Sequence, residues 1–467
     1  MDGRGRTEWV AREEGPMASV GRLDAAQAQG EDQQNLRKVV AASFIGTTIE
    51  WYDFFLYGTA AALVFGELFF PGSSPLIGTL SAFGTFAVGF CARPLGGLVF
   101  GHFGDRIGRK TMLVTSLLIM GIATFLIGCL PTHATIGIWA PILLVVLRFA
   151  QGIGVGGEWG GAVLMSVEHA PKGKRGFYGS WPQMGVPAGL LLSTVVFTIV
   201  QSATSEDQFS AWGWRIPFLV SIVLVAVGLF VRLAVMESPA FREVEKTGAQ
   251  SDKPIVDVVR EHKRDVLTAM GMRIAENGIF YIFTVWVLVY GNEHLKLPKS
   301  TMLWGVVIAA LIGLVTIPFY GALSDRVGRR PLYLGGAVFS LIFAFPFFWL
   351  VNTKTEILIW LAIVLGVNIG HDLMYGPQAA FFSELFGTRV RYSGASLGYQ
   401  LASVIAGGFA PLVAAALLQA WDWPAVAIYM AIMAAVTVVA TLLATETYQS
   451  DILADDAREQ ELVRPSS

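Results

Sequence analysis

The chain has 467 residues, of which 54% are hydrophobic and 15% are charged, and its mean hydropathy is +0.58. Soluble domains carry roughly 25% charged residues, so this composition excludes an ordinary soluble protein. The net charge of −2 gives no indication of a nucleic-acid partner. The two cysteines, Cys91 and Cys129, lie in apolar segments and predict neither a disulfide nor a metal site.

A helix needs about 20 apolar residues to cross roughly 30 Å of hydrocarbon, and the sequence predicts twelve such segments in an all-α membrane protein. Residues 1–36 are polar, and we expect a disordered cytoplasmic tail there. The predicted spans are 38–66, 76–102, 111–130, 138–165, 177–201, 214–234, 266–291, 301–323, 331–351, 356–382, 393–419 and 424–445. A polar linker at 235–265 separates a six-helix bundle at 37–234 from a second one at 266–447, and a short polar tail follows at 448–467.

Basic residues are concentrated in alternate loops, beginning with the loop between the second and third spans. The opposite loops hold little beyond Lys296, Lys299 and Lys354. Loops rich in Lys and Arg mark the cytoplasmic side of a membrane. We therefore expect a multi-pass protein of the plasma membrane whose central linker is cytoplasmic. Because the number of spans is even, both termini are expected on that same side.

The loops after the second and eighth spans carry the same motif. Gly101-His-Phe-Gly-Asp105-Arg106-Ile-Gly108-Arg109-Lys110 recurs as Gly321-Ala-Leu-Ser-Asp325-Arg326-Val-Gly328-Arg329-Arg330. A second pair of positions repeats with the same internal spacing, as Glu168 with Arg175 and Glu384 with Arg391. Repetition at half-length inside apolar sequence predicts two pseudo-symmetric six-helix halves.

Charged residues inside the spans are the main functional signal, because each costs about 2.5 kcal/mol or more at the bilayer centre. They concentrate in the first helix of each group of three: Glu50 and Asp53, Arg148 and Glu158, Arg273 and Glu276, and His371 and Asp372, with Arg93 added in span 2. This period, present in both halves, predicts that these helices line a central cavity. The alternative is that the polar residues only join helices to one another.

With these motifs, the sequence resembles the major facilitator superfamily along essentially its full length. The doubled Gly-x-x-x-Asp-Arg-x-Gly-Arg-Arg/Lys loop is the signature of that superfamily. Within it, the chain is similar to the metabolite:proton symporter family, which includes shikimate, α-ketoglutarate and proline/betaine transporters. The segments that carry this resemblance are 50–58, 93–97, 148–152, 156–161, 214–218, 237–241 and 384–394, and the shikimate-type members are nearest through 368–372 and 392–400.

The resemblance implies import of a small polar metabolite, expected to be an organic acid, together with protons by alternating access. It implies no cofactor or metal, since the proton gradient supplies the energy. The expected partners are the substrate, protons and the lipid bilayer, and we expect a monomer without a nucleic-acid partner. The sequence shows no nucleophile–base set, metal-ligand spacing or phosphate loop, so we do not expect an enzyme.

Asp53 and Arg148 are the predicted centre of proton coupling. Asp53 lies about 22 Å into span 1 from the cytoplasmic side, and Arg148 lies about 15 Å into span 4 from the outer side. Both are therefore near mid-depth of the hydrocarbon and within side-chain reach of each other. A carboxyl group beside a guanidinium at that depth can load and release a proton. The resemblance supports this role, because proton-coupled sugar porters of the superfamily pair an acid in span 1 with this arginine. The alternative is a permanent structural ion pair.

Two further residues are candidates for proton transfer. Glu50 lies one helical turn before Asp53 on the same face, where it would either share the proton or serve packing. His371 is a candidate proton relay, because an imidazole ordinarily titrates near pH 6.5. The alternative is that His371 only forms hydrogen bonds in the protein interior. His371 and Asp372 are adjacent, so their side chains are predicted to point about 100° apart and not to share a face.

Arg93 is the predicted anchor for a substrate carboxylate, because a guanidinium binds a carboxylate through two parallel hydrogen bonds. By resemblance, α-ketoglutarate permeases carry an arginine at this position. The alternative partner of Arg93 is Asp53 or Glu50. Arg273 and Glu276 are three residues apart, line the predicted cavity and are expected to pair. The other predicted substrate-binding residues, each of which would equally serve packing, are Tyr57, Gln151, Trp159, Tyr281, Asp372, Tyr375 and Gln400.

By resemblance, the signature loops form charge networks that hold the cytoplasmic ends together when the cavity opens outward. The residues assigned to this latch are Gly101, Asp105, Arg106, Gly108, Arg109, Glu168, Asp325, Arg326, Gly328, Arg329, Glu384 and Arg391. The alternative is that these charges only fix the topology. Three functions compete at this stage: proton-coupled import, proton-independent facilitation or efflux, and a non-transporting nutrient sensor, which short tails disfavour.

Overall fold

The structure is a computed structural model that describes residues 16–71, 75–107, 109–168, 170–234, 263–386 and 391–449. The predicted linker, except for its last residues, lies outside these ranges. No strand occurs within them, and the chain there is built from α-helices with short π-helical segments. The longer helices are α1 (Pro16–Ala60), α2 (Pro75–Ile107), α3 (Arg109–Cys129), α4 (Trp139–Gly156), α5 (Trp159–Glu168), α6 (Arg175–Ala203), α7 (Arg215–Ala234), α8 (Lys263–Tyr281), α9 (Lys299–Val327), α10 (Arg329–Asn352), α11 (Glu356–Val364), α12 (Asp372–Leu385), α13 (Arg391–Ala402), α14 (Ala410–Trp421) and α15 (Trp423–Leu443).

The π-helical segments continue or interrupt several of these helices. They are Ala61–Phe65, Phe209–Gly213, Ile282–Trp286, Tyr290–His294, Leu365–His371 and Ser403–Gly408. Such segments are rare in α-helices and occur mostly at functional sites. Two of them, Leu365–His371 and Ser403–Gly408, directly adjoin the charged residues described below.

Ten helical stretches of the described residues are long and apolar enough to cross a membrane, and the bent pair Glu206–Gly213 and Arg215–Val231 makes an eleventh if it is one span. Together they overlap the predicted spans from the second to the last. The helix at the first predicted span is not among them, because Glu50 and Asp53 interrupt its apolar part. The outer faces of the helices expose large apolar side chains such as Phe230 and Ile342, as expected for contact with lipid.

The first helix begins much earlier than the sequence predicts. Residues 16–36, expected to be a disordered tail, continue α1 from Pro16. The Ala, Gln, Leu and Arg residues of this stretch are good helix formers, and the expectation of disorder gave too much weight to polarity alone.

Six helices meet around one interior space. Helix α6 packs along α1 on one side and along α9 and α12 on the other. Helix α2 packs along α4 and also contacts α13 and the Ser403–Gly408 segment. These contacts bring α1, α2, α4, α5, α6 and α13 together in the interior.

Close backbone contact between α2 and α4 depends on glycine. A Cβ atom on Gly156 would lie 2.0 Å from the carbonyl oxygen of Arg93, and one on Gly152 would lie 2.1 Å from that of Gly89. Small residues four apart let two helices approach in this way. The spacing therefore fixes the depth and direction of Arg93 relative to α4 and α5.

Candidate substrate and proton sites

A narrow cavity lies among α1, α2, α4, α5, α6 and α13, with room for about one water molecule in this state. Its lining combines charged, amide and aromatic side chains, among them Glu50, Trp51, Arg93, Trp159, Gln183 and Gln400. Glu50, Arg93, Trp159 and Gln400 were predicted from the sequence. The other predicted substrate-binding residues lie elsewhere in the interior.

Arg93 is buried against aromatic rings. Its guanidinium carbon lies 4.3 Å from the ring centre of Phe54 and 4.4 Å from that of Phe90. These faces attract the cation but offer no acceptor to its N–H groups. Nε and Nη2 make no hydrogen bond in the part of the chain that the structure describes. Arg93 therefore reaches the cavity with unused donors, and it does not bond to Asp53.

Asp53 and Arg148 do not form the direct contact that their predicted depths suggested. Both Asp53 carboxyl oxygens are buried and without a well-formed hydrogen bond among the described residues, although Thr124 lies beside them. Arg148 instead donates from Nη1 to Gln151 Oε1 at 3.0 Å, and Gln151 Nε2 donates to Thr124 at 2.6 Å. The reason is that aromatic faces hold the Arg148 guanidinium, whose central carbon lies 4.2 Å from the centre of the Tyr57 ring. An ionised, unpaired carboxylate is costly to bury, so this geometry suits the neutral acid.

A stack of three flat groups extends from the cavity into the second half of the chain. The Trp159 indole lies parallel to the Tyr399 ring, with 3.7 Å between their centres. The Arg273 guanidinium carbon lies 3.2 Å from the centre of that tyrosine ring on α13. The indole Nε1 of Trp159 also donates to Gln183 Oε1 at 3.2 Å. The stack links a wall of the cavity to the buried charges of α8.

Those charges belong to a group of five buried side chains that we name the inner polar cluster: Arg273, Glu276, His371, Asp372 and Gln378. Arg273 Nη1 lies 2.8 Å from Glu276 Oε2, which is the pair that their spacing predicts. Gln378 accepts from Arg273 at 2.9 Å and donates to Glu276 at 2.9 Å. His371 lies between two carboxylates, with Nε2 3.3 Å from Glu276 and Nδ1 2.8 Å from Asp372.

The contact between His371 and Asp372 corrects the prediction that these adjacent side chains point apart. His371 ends the π-helical segment Leu365–His371, and Asp372 begins α12. The α-helical rule fixes only the directions of the Cα–Cβ bonds, and the imidazole and carboxylate groups reach each other beyond those bonds.

Residues 321–330, where α9 turns into α10, lie against the start of α6 at one end of the molecule, which we name the signature-loop end. There Asp325 accepts from the backbone N–H groups of Gly176 and Phe177 at 2.8 and 2.9 Å, at the start of α6. A carboxylate at a helix N-terminus is favoured by the helix dipole and by the free N–H groups. Arg329 pairs with Asp325 at 2.8 Å and with Glu384 at 3.2 Å. These contacts tie α6 of the first half to α9, α10 and α12.

Other residues assigned to the latch take no part in these described contacts. Glu168 and Arg326 are exposed. Gly328 has φ of 110°, a backbone conformation that favours glycine and turns the chain from α9 into α10. The remaining assigned residues lie outside the described side chains or the described residues altogether: Gly101, Asp105, Arg106, Gly108, Arg109 and Arg391.

Three uncharged polar residues of these sites were not predicted from the sequence. Gln183 lines the cavity, Thr124 lies beside Asp53, and Gln378 joins the inner polar cluster. Of the predicted residues, Tyr281 packs its ring against Phe54 and Phe90, and Tyr375 stacks on His371 with ring centres 4.8 Å apart. A search for amides and hydroxyls inside apolar spans, and not only for charges, would have found the missed residues.

Comparison with known proteins agrees with this arrangement. Residues 43–407 match the Major Facilitator Superfamily. A shikimate transporter of Escherichia coli (strain K12) is 47% identical over 398 residues, which cover 84% of this chain and 91% of that protein. A proline/betaine transporter of Salmonella typhimurium (strain LT2) is 36% identical over 427 residues, covering 89% and 85%. The solved proton:xylose symporter XylE bound to 6-bromo-6-deoxy-D-glucose has the same fold, with a TM-score of 0.72 at 18% identity over 91% of this chain and 99% of that one.

The protein is therefore an all-helical membrane transporter of small metabolites and not an enzyme. The chain belongs to the Major Facilitator Superfamily and, within it, to the metabolite:proton symporter family that its motifs predicted.

Proposed function

We propose that the protein imports a small organic acid together with protons across the bacterial inner membrane by alternating access. In this proposal, twelve membrane-crossing helices form two six-helix halves, at 37–234 and 266–447, and both termini lie in the cytoplasm. The alternate basic loops, the doubled motif and the likeness to bacterial transporters support it. In this proposal, the narrow cavity and the contacts at the signature-loop end belong to a state closed toward the cytoplasm.

The observation that carries the substrate assignment is the pair of unused donors on Arg93 beside the cavity. A buried N–H group without a partner is unfavourable, by about 1–3 kcal/mol. A planar carboxylate could satisfy Nε and Nη2 together. The relatives support this chemistry, since shikimate, proline and betaine, the compounds in their names, all carry a carboxylate. Gln400 Oε1, also without a partner in the described residues, would accept a hydrogen bond from a substrate hydroxyl.

Asp53 is the proposed proton-binding residue of the first half. Its isolation suits a carboxyl group that is protonated in the closed state and ionises when the cavity admits water. A chain of hydrogen bonds leads from Arg148 through Gln151 to Thr124, which lies beside Asp53. Rearrangement of that chain would bring a positive charge toward the carboxylate as it loses its proton. Glu50, on the cavity wall one turn before Asp53, is placed to share the proton with it.

Transport by the purified protein in liposomes tests this proposal. A labelled panel of shikimate, dicarboxylates, hydroxybenzoates, proline and betaine would be offered with and without an inward-directed proton gradient. We expect at least one carboxylate-bearing compound to accumulate above its external concentration only when the gradient is present. Equal uptake with and without the gradient would indicate a proton-independent facilitator. A protonophore is the matched control, because it collapses the gradient and leaves the protein unchanged.

A further inference from the structure

His371 is placed where its two ring nitrogens can both donate only if the ring is protonated. Nε2 faces Glu276 Oε1 at 3.3 Å, and Nδ1 faces Asp372 Oδ1 at 2.8 Å. A neutral imidazole carries one N–H and one lone pair, so it would turn a lone pair toward one of the carboxylates. The contact with Glu276 joins α8 to the segment before α12, whereas the contact with Asp372 stays within one stretch of chain. Loss of the proton would therefore weaken a contact between helices.

The charges around His371 balance only in the protonated form. Arg273 is the described cation that pairs with Glu276, and Asp372 accepts from the neutral groups Asn368, at 2.9 Å, and Thr316. The ring centres of Phe280 and Tyr375 lie 4.3 and 4.8 Å from that of the imidazole, and Gln378 donates to the Tyr333 hydroxyl at 2.9 Å. With His371 protonated, two cations face two carboxylates. Without that proton, the cluster holds an uncompensated negative charge, which is costly in a buried site.

Two chains of contacts connect this cluster to the cavity. Glu276 bonds to Arg273, which stacks on Tyr399, which in turn stacks on Trp159. Gln183 gives a second connection, since it accepts from Trp159 and donates to the carbonyl oxygen of Tyr375 at 3.4 Å. A substrate that displaces Trp159 would thus shift partners of both Glu276 and His371.

We propose that the inner polar cluster is a second proton-binding site, in which His371 takes up a proton when the transporter loads and releases it toward the cytoplasm. This inference rests on the proposed proton-coupled import and adds to it a proton carried by the second half. The step is an acid–base transfer: the N–H bond at Nε2 breaks, and water takes the proton once the contact with Glu276 opens. The two sites differ in charge, because His371 becomes positively charged when it binds a proton, whereas Asp53 becomes neutral.

The ratio of protons to substrate tests the inference. With shikimate as the probe, the proton gradient that just stops net flux against a fixed shikimate gradient reports this ratio. We expect His371→Gln to carry about one proton fewer for each substrate molecule that it transports, because glutamine cannot take up a proton. His133→Gln, outside the cluster, is the matched control and should leave the ratio unchanged. An unchanged ratio in His371→Gln would overturn the inference.

A second measurement needs no substrate and no tolerated replacement of His371. The chain contains six histidines, so nitrogen-15 spectra of histidine-labelled protein in nanodiscs can follow each imidazole, with assignment by replacement of the others. We expect the His371 signal to change from imidazolium to neutral imidazole as the pH is raised. We also expect Glu276→Gln to move that transition. A signal that stays in one protonation state throughout would show a permanent ion pair and would contradict the inference.

The two levels of the account fail in different ways. If the wild-type protein accumulates nothing in response to a proton gradient, the proposed import is wrong, whatever the spectra show. If accumulation occurs but the His371→Gln ratio equals that of the wild type, import stands and the second proton site is rejected.

Discussion

Two buried groups of charged side chains lie in the interior of this transporter, and they satisfy their charges in opposite ways. In the first half, Arg93 and Asp53 are left with unused donors and acceptors, and aromatic faces hold Arg93 and Arg148 in place. In the inner polar cluster, each charged group meets a partner of opposite charge, provided that His371 is protonated. Unmade hydrogen bonds in a buried site leave binding capacity for a ligand or a proton. Complete pairing instead holds helices together, and protonation becomes the condition for that pairing.

The largest expected effect concerns the isolated acid of the first half. Asp53→Asn mimics the protonated carboxyl group permanently, so the empty carrier should be unable to return with its proton released. We expect accumulation driven by a proton gradient to disappear while exchange of internal for external substrate continues. Uptake and counterflow in the same liposomes measure both. Asp207→Asn, at an exposed position, is the matched control, and retained accumulation in Asp53→Asn would remove Asp53 from the coupling step.

The second prediction contrasts the stability of the two regions. Arg273→Met leaves Glu276 buried without its cation, and breaking such a pair typically costs about 3–5 kcal/mol. Arg93→Met removes a cation that bonds to no described carboxylate, so we expect less than about 1 kcal/mol there. Thermal unfolding of the two variants in one detergent, followed by fluorescence, gives the comparison. A similar loss of stability in both would mean that Arg93 is paired after all and that the regions do not differ.

The third prediction concerns the signature-loop end. Asp325→Asn removes a charge from hydrogen bonds to the start of α6 and from the Arg329 pair, and such bonds contribute about 1.5–3 kcal/mol. The state closed at this end should lose population by roughly tenfold or more. Single cysteines introduced on the cytoplasmic side of the cavity should then become more reactive, and those introduced on the outer side should become less reactive. Asp207→Asn, at an exposed position outside these contacts, is the control. Unchanged cysteine reactivity in Asp325→Asn would assign this charge to topology and not to gating.

The sequence was sufficient for the family and for most of the helices, because apolar length and the doubled motif are properties of local sequence. It also predicted the Arg273–Glu276 pair, since a spacing of three is decided within one helix turn. Contacts between helices were harder to predict from the sequence. The expected Asp53–Arg148 contact depended on their relative rotation, which aromatic packing around Arg148 determines.

Two other features could not be predicted for related reasons. The contact of His371 with Asp372 depends on side-chain conformations beyond Cβ, which helical spacing does not determine. The role of Gln183 depends on which face of α6 meets the cavity, and uncharged residues give only a weak signal in an apolar span. The start of α1 at Pro16 was missed because polarity was taken as evidence of disorder.

Binding of an acid and its neutral ester to wild-type and Arg93→Lys protein tests the central claim most directly. The claim is that the unpaired donors of Arg93 hold the substrate carboxylate. Lysine keeps the charge but cannot form two parallel hydrogen bonds, so we expect shikimate to bind at least tenfold more weakly, or about 1.4 kcal/mol, with no such change for methyl shikimate. Arg215→Lys is the matched control, because Arg215 also stacks on an aromatic ring, at 4.3 Å from Trp214, but lies outside the cavity lining. Equal losses for the acid and the ester in Arg93→Lys would contradict the account and would make Arg93 a structural residue.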